Sequence, residues 1–174
     1  LSVAALFRDP RLSTEVRTLP FAGPIKQVFR LLYPDVPLRH VYGTDEEKAN
    51  YIPGVGKTVR QALQHIGQTM RAFEPEIWER MFTEAVSAER QSSNPDPLLV
   101  IADDVRMPSE VALVRSMGGK VIRLTRSLHT DSHVSETALD DVGNFDLTIH
   151  NASMTPDDTM RAVYSGLASW GWIV

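Results

Sequence analysis

Apolar and polar positions alternate in two different rhythms along the chain. In the first half, apolar residues recur at helical spacing. A short apolar helix is expected at Leu1–Phe7, then a polar loop and a brief strand at Thr18–Phe21. PIKQVFRLLYP opens with Pro24 in a first helical turn and places Ile25, Val28, Phe29 and Leu32 on one face. From Asp35 to Pro53 the pattern dissolves into turns and charges, an excursion of the kind that carries binding groups. KTVRQALQHIGQTMRAF predicts a helix that buries Val59, Ala62, Leu63 and Ile66. PEIWERMFTEAVSAERQ predicts another, with Pro75 and Glu76 at its start.

The second half changes rhythm. PLLVIADD is a continuous apolar run ended by carboxylates, which suits a central parallel strand. MPSEVALVRSMGG then predicts a helix with Ser109 as cap or first-turn residue and Gly118-Gly119 as its stop. KVIRLTR and FDLTIHN predict strands, with a short helix at Ser135–Leu139 between them. TPDDTMRAVYSGLASW predicts a last helix that starts at Pro156. Strands alternating with helices predict an α/β fold with a parallel sheet in one domain, whose helical region lies around residues 35–95. The ending WGWIV is expected to dock on the body or form an interface.

Composition narrows the partners. The 174 residues are 43% apolar and 23% charged, with a net charge of −4 and scattered basic residues. That balance argues against nucleic acid and against a lipid surface as partner. The lack of cysteine excludes disulfides and thiolate metal sites and predicts a cytoplasmic setting. No apolar run reaches the roughly 18 residues of a membrane span. The opening LSVAALF has no basic leader, so no signal peptide is expected, and without an initiator methionine the sequence reads as part of something longer. The five histidines are not spaced for zinc.

GVGKT at Gly54–Thr58 looks like a phosphate-binding loop. A Walker A loop needs GxxxxGK[ST] between a buried strand and a helix. Here Tyr51 stands where the first glycine belongs, and the loop follows DEEK and NYIP instead of a buried strand. Gly54 and Gly56 are therefore expected to form a turn feeding a helix whose first turn holds Lys57 and Thr58.

Five ordered blocks carry a resemblance. FAGPIK (Phe21–Lys26), KTVRQALQHIGQTMRAFEPEIW (Lys57–Trp78), DDVRMPSEVALVRSMGGKVIRLTR (Asp103–Arg126), HVSETAL (His133–Leu139) and FDLTIHNASMTPDDTM (Phe145–Met160) resemble successive motifs of phage-type deoxynucleoside monophosphate kinases. The resemblance implies a three-layer parallel sheet of the P-loop nucleoside-monophosphate-kinase type, here without its first strand. It implies transfer of the γ-phosphoryl of ATP, with Mg²⁺, to a deoxynucleoside monophosphate. That family carries a Walker A loop upstream of the FA-P-K block, and no such loop stands in these residues. The activity is thus expected only if the natural protein supplies one. The alternatives are a catalytically inactive relative that binds a nucleotide or a partner protein, and a structural or regulatory protein that kept the fold. An exposed sheet edge or the C-terminus would then serve a partner or a second copy.

The resemblance also suggests roles. Asp104 and Arg106, at the exit of the apolar strand, would face the reacting phosphates, and Arg126 at the next strand's exit would stabilise transferring charge. A plain Asp–Arg pair ordering the turn is the other reading of the first two. Lys26, Arg60, Gln64, Arg71 and Trp78 fall in the blocks that bind the acceptor. Arg60 and Gln64 share a helix face, with Arg71 two turns further on. Guanidinium suits a phosphate and the Gln64 amide suits a base. A solvated face, and for Trp78 a core position, are the competing readings.

Overall fold

A computed structural model describes residues 15–92, 98–125, 138–140 and 142–172. The elements in order are β1 (Glu15–Thr18), α1 (Gly23–Leu32), α2 (Leu38–Tyr42), α3 (Asp45–Lys48), α4 (Val59–Phe73), α5 (Ile77–Ser92), β2 (Leu98–Ile101), α6 (Pro108–Ser116), β3 (Ile122–Thr125), β4 (Leu147–His150) and α7 (Pro156–Ser169). The expected helix at Leu1–Phe7 lies outside the described residues, as do residues 135–137 of the helix expected before β4; 138–140 form a turn. The first strand lies a few residues earlier than the Thr18–Phe21 expected.

The chain divides into two compact units, a helical unit of Leu19–Ala88 and a strand unit of Leu1–Thr18 with Glu89–Val174. In the helical unit, Phe29, Val36, Val41, Ile52 and Val59 form the buried cluster, with Tyr33, Ala62, Leu63 and Ile66 packed against it. Leu32, expected on the buried face of α1, is exposed. The stretch expected to be turns holds α2 and α3 instead. Gly43 joins them: a Cβ there would stand 1.9 Å from Glu47 Oε2 and 2.2 Å from the Arg39 carbonyl oxygen. Thr44 then caps α3 reciprocally with Glu47.

The strand unit holds two parallel pairs. Val16 stands opposite Leu99 in the β1–β2 pair, and Leu124 opposite Ile149 in the β3–β4 pair. Residues of all four strands, Val16, Leu99, Ile101, Ile122, Leu147 and Ile149, share one apolar cluster with Val163 and Leu167 of α7. Trp170 and Trp172 also pack on this cluster, so the tryptophans of the chain's end dock on their own unit.

This architecture corrects the expected fold. Among the described residues no hydrogen-bonded ladder joins the two strand pairs. Helices take up 52% of the structure and strands 13%, so the described residues form no single three-layer parallel sheet. The physical reason lies in strand length. Each strand is only four residues long and β2 is half-buried throughout, so the apolar run that suggested a central strand does not form one covered on both faces. Helices α4 and α7, by contrast, start at well-made caps. Thr58 and Gln61 close α4, and Thr155 and Asp158 close α7, each by reciprocal bonds.

The functional expectation falls with the fold. P-loop phosphoryl transfer needs a central sheet whose strand feeds a glycine-rich loop into a helix. Two detached strand pairs do not supply that platform. The expectation of a P-loop, ATP-binding kinase is therefore overturned.

Candidate functional site

The glycine-rich loop is a closed turn. Gly54 and Gly56 adopt positive φ of 75° and 69°, a conformation that costs glycine little. The Ile52 amide donates to the Lys57 carbonyl at 2.8 Å, and the Val59 amide donates to the Asn50 carbonyl at 3.0 Å. The Thr58 amide donates to Gln61 Oε1 at 3.0 Å, and the Gln61 amide donates to Thr58 Oγ1 at 3.2 Å. Four amides in and beside the loop, of the kind that would cradle a phosphate, are thus held within the protein. Helix α4 begins at Val59, so Lys57 lies outside its first turn and Thr58 is its cap.

The five acceptor-site candidates all fall in the helical unit. Arg60, Gln64 and Arg71 project from one side of α4, as their spacing requires. Helix α1 packs on α4, and Ile25 Cδ1 would stand 3.2 Å from a Cβ at Gly67. This contact sets the start of α1, and with it Lys26, at the level of α4 between Gln64 and Arg71. The Lys26 ammonium lies 5.4 Å from the centre of the exposed Tyr42 ring, a cation–π contact.

Carboxylates from other segments hold the two arginines. Arg60 pairs with Asp45 Oδ1 at 2.6 Å, and that aspartate side chain is 80% exposed. Such a surface pair contributes about 0–1 kcal/mol and exchanges easily. Arg71 Nη1 donates to Glu79 Oε1 at 3.1 Å, and here the carboxylate side chain is only 8% exposed and the guanidinium 24%. Trp78 is 2% exposed, and its indole N–H donates to the Gly67 carbonyl at 3.1 Å. It clasps the start of α5 to the middle of α4. Phe21 stacks on Phe82 with ring centres 4.1 Å apart, which ties the approach to α1 to the same helix.

Asp104 and Arg106 belong to the strand unit, after β2. Asp104 is half-buried and Arg106 is exposed. The turn that carries them is organised by Glu110, which is 4% exposed. Its Oε2 accepts the Arg106 amide at 2.7 Å and the Met107 amide at 3.1 Å. Arg126 lies outside the described residues. At the ends of β3 and β4, Thr125 Oγ1 lies 2.7 Å from His150 Nδ1. Among the described residues no three His, Cys, Asp or Glu side chains gather as a metal ion would require, and no helix is long and apolar enough to cross a membrane.

Sequence reasoning missed Asp45, Glu79, Glu110 and Asp146. Asp146 accepts the Val121 amide on Oδ2 and the Lys120 ammonium on Oδ1, both at 2.9 Å. These bonds, the backbone one foremost, hold its carboxyl below the usual aspartate range against the opposing effect of burial. A readable signal existed for Glu79. It stands with Phe82 and Val86 at i, i+3 and i+7, an acidic residue on the buried stripe of α5.

The chain is 26% identical over 160 residues to a protein of Acanthamoeba polyphaga mimivirus named "Putative deoxynucleotide monophosphate kinase", an alignment that covers 86% of this chain and 79% of that protein. No family model matches the chain.

Proposed function

We propose that the helical unit binds a nucleoside 5′-monophosphate, as a recognition module and not as a phosphoryl-transfer enzyme. The spacing of Gln64 and Arg71 on one side of α4 carries this reading. Seven helical residues span about 10 Å, close to the reach from a nucleotide's 5′-phosphate to its base edge. Arg71 takes the phosphate, for which a guanidinium fork is shaped. Gln64 offers an amide donor and acceptor to the base. Lys26, at the intermediate level, adds positive charge. Arg60 contributes at the far end by exchanging its exposed aspartate for solvent or ligand, and Trp78 acts from within by holding α5 on α4. The name of the mimivirus relative points to deoxynucleotide monophosphates as the ligand class.

Calorimetric titration of the whole chain with the four deoxynucleoside monophosphates, and with the matching nucleosides, tests this. At least one monophosphate should bind saturably, more tightly than its nucleoside. Arg71→Ala should weaken that binding by about tenfold or more, since a hydrogen bond to a charged group contributes about 1.5–3 kcal/mol. Absence of saturable binding by any of the four overturns the reading.

A further inference from the structure

We infer that Glu79 is the positioning residue of the phosphate-binding arginine. The inference rests on the proposed monophosphate site and adds to it the group that gives the site its preference for phosphate. A carboxylate among Phe82 and Val86 on the buried stripe of α5 is an unfavourable choice for stability alone. Apolar residues in place of a buried ion pair are often neutral or stabilising. The fold does not require Glu79 to hold α5 on α4 either, because the Trp78 indole bond to Gly67 already does so, and the Phe21–Phe82 stack ties α5 to the approach to α1. What Glu79 does is fix the Arg71 guanidinium at one nitrogen, 3.1 Å away. A long, rotamer-rich side chain is thereby ordered before the ligand arrives, and the cost of ordering it does not fall on binding.

Two effects of removing the Glu79 charge oppose each other, which makes the test decisive. By charge alone, loss of an anion beside Arg71 should tighten binding of a phosphate dianion. By positioning, Arg71 loses the Glu79 anchor and binding of the phosphate weakens. Glu79→Gln keeps the shape of the side chain while removing the charge, and Glu79→Asp keeps the charge while shortening the reach.

The experiment is titration of wild type, Glu79→Gln and Glu79→Asp with the tightest-binding deoxynucleoside monophosphate and its nucleoside, alongside side-chain NMR of the Arg71 Nε–H. Positioning predicts a loss of about tenfold for the monophosphate in Glu79→Gln, as for other outer residues that orient a binding group. Nucleoside affinity should change less than about twofold, since an anchor on Arg71 touches only the phosphate. The Arg71 Nε–H signal should broaden or shift in the same variant, and Glu79→Asp should recover part of the affinity. Unchanged or tighter monophosphate binding in Glu79→Gln overturns the inference and leaves the site standing. An equal loss for nucleoside and monophosphate assigns Glu79 a purely structural role and also overturns it. Should Glu79→Gln fail to fold, Glu79→Asp decides by the same split. Wild type that binds no monophosphate overturns the parent site, and this inference with it.

Discussion

Two carboxylates of the helical unit and two of the strand unit serve different ends. In the helical unit Asp45 and Glu79 hold cationic side chains, Arg60 and Arg71. In the strand unit Glu110 holds the backbone amides of Arg106 and Met107, and Asp146 holds the amide of Val121 together with the Lys120 ammonium. The first use aims charge at a surface; the second fixes the path of the chain. The cores differ in the same sense. One is built from a single continuous stretch of sequence, the other from strands far apart in the chain that converge on α7. The residues of the proposed monophosphate site thus lie in the unit whose fold is local.

The largest effect expected is from Phe29→Ala, which empties the centre of the helical core and should cost about 3–5 kcal/mol. Hydrogen exchange reads the outcome by element. Protection should fall in α1 and α4 while the β1–β2 and β3–β4 amides keep theirs. An equal fall in all of them would show that the two units unfold as one and would remove the basis of the contrast.

Next in size is Glu110→Ala, which leaves the amides of Arg106 and Met107 without their acceptor. The cost should be about 1–3 kcal/mol for each group left buried and unpaired. Thermal melting should show the loss, while monophosphate affinity stays within about twofold, because the residue sits in the architectural class. A binding loss as large as that of Arg71→Ala would place Glu110 among the ligand-aiming groups instead.

The smallest effect, and the most specific, is from Asp146→Asn. The folded carboxyl of Asp146 titrates below its unfolded value, so its stabilisation is present in full above about pH 4, the ordinary aspartate value. It is lost as pH falls through the lower folded value. Melting temperatures of wild type and variant should therefore differ at pH 7 and converge on acidification below about pH 4. A gap that persists unchanged at acid pH would assign the effect to packing.

Much of this was readable in the sequence, and the failures have physical causes. Helices α4, α5 and α7 were visible because their apolar spacing agrees with their starts, at Thr58, Pro75–Glu76 and Thr155–Pro156. Helices α2 and α3 were hidden because neither is long enough to complete a periodic pattern. The single sheet was over-read from LLVI, since a continuous apolar run does not say whether a strand is covered on one face or two. Within the candidate site, the shared face of Arg60 and Gln64 followed from spacing alone. The carboxylate partners of Arg60 and Arg71 did not, because Asp45 and Glu79 come from other elements, and helical periodicity reports only on its own helix.

The pairing of Val16 with Leu99 has a bearing on how the chain is made. During synthesis the first strand leaves the ribosome some eighty residues before its mate, and residues 19–92 between them belong to the helical unit or to the rest of α5. That insert can gather its own apolar residues while it waits, because its contacts are near in sequence and form fast. The nascent chain then carries a finished bundle on an open hairpin-like loop, and only translation of β2 lets the two ends of that loop meet. Slowing the ribosome after Ala88 should cost little; slowing it before Val59, when the bundle lacks α4, should expose Phe29 and Val41 to aggregation.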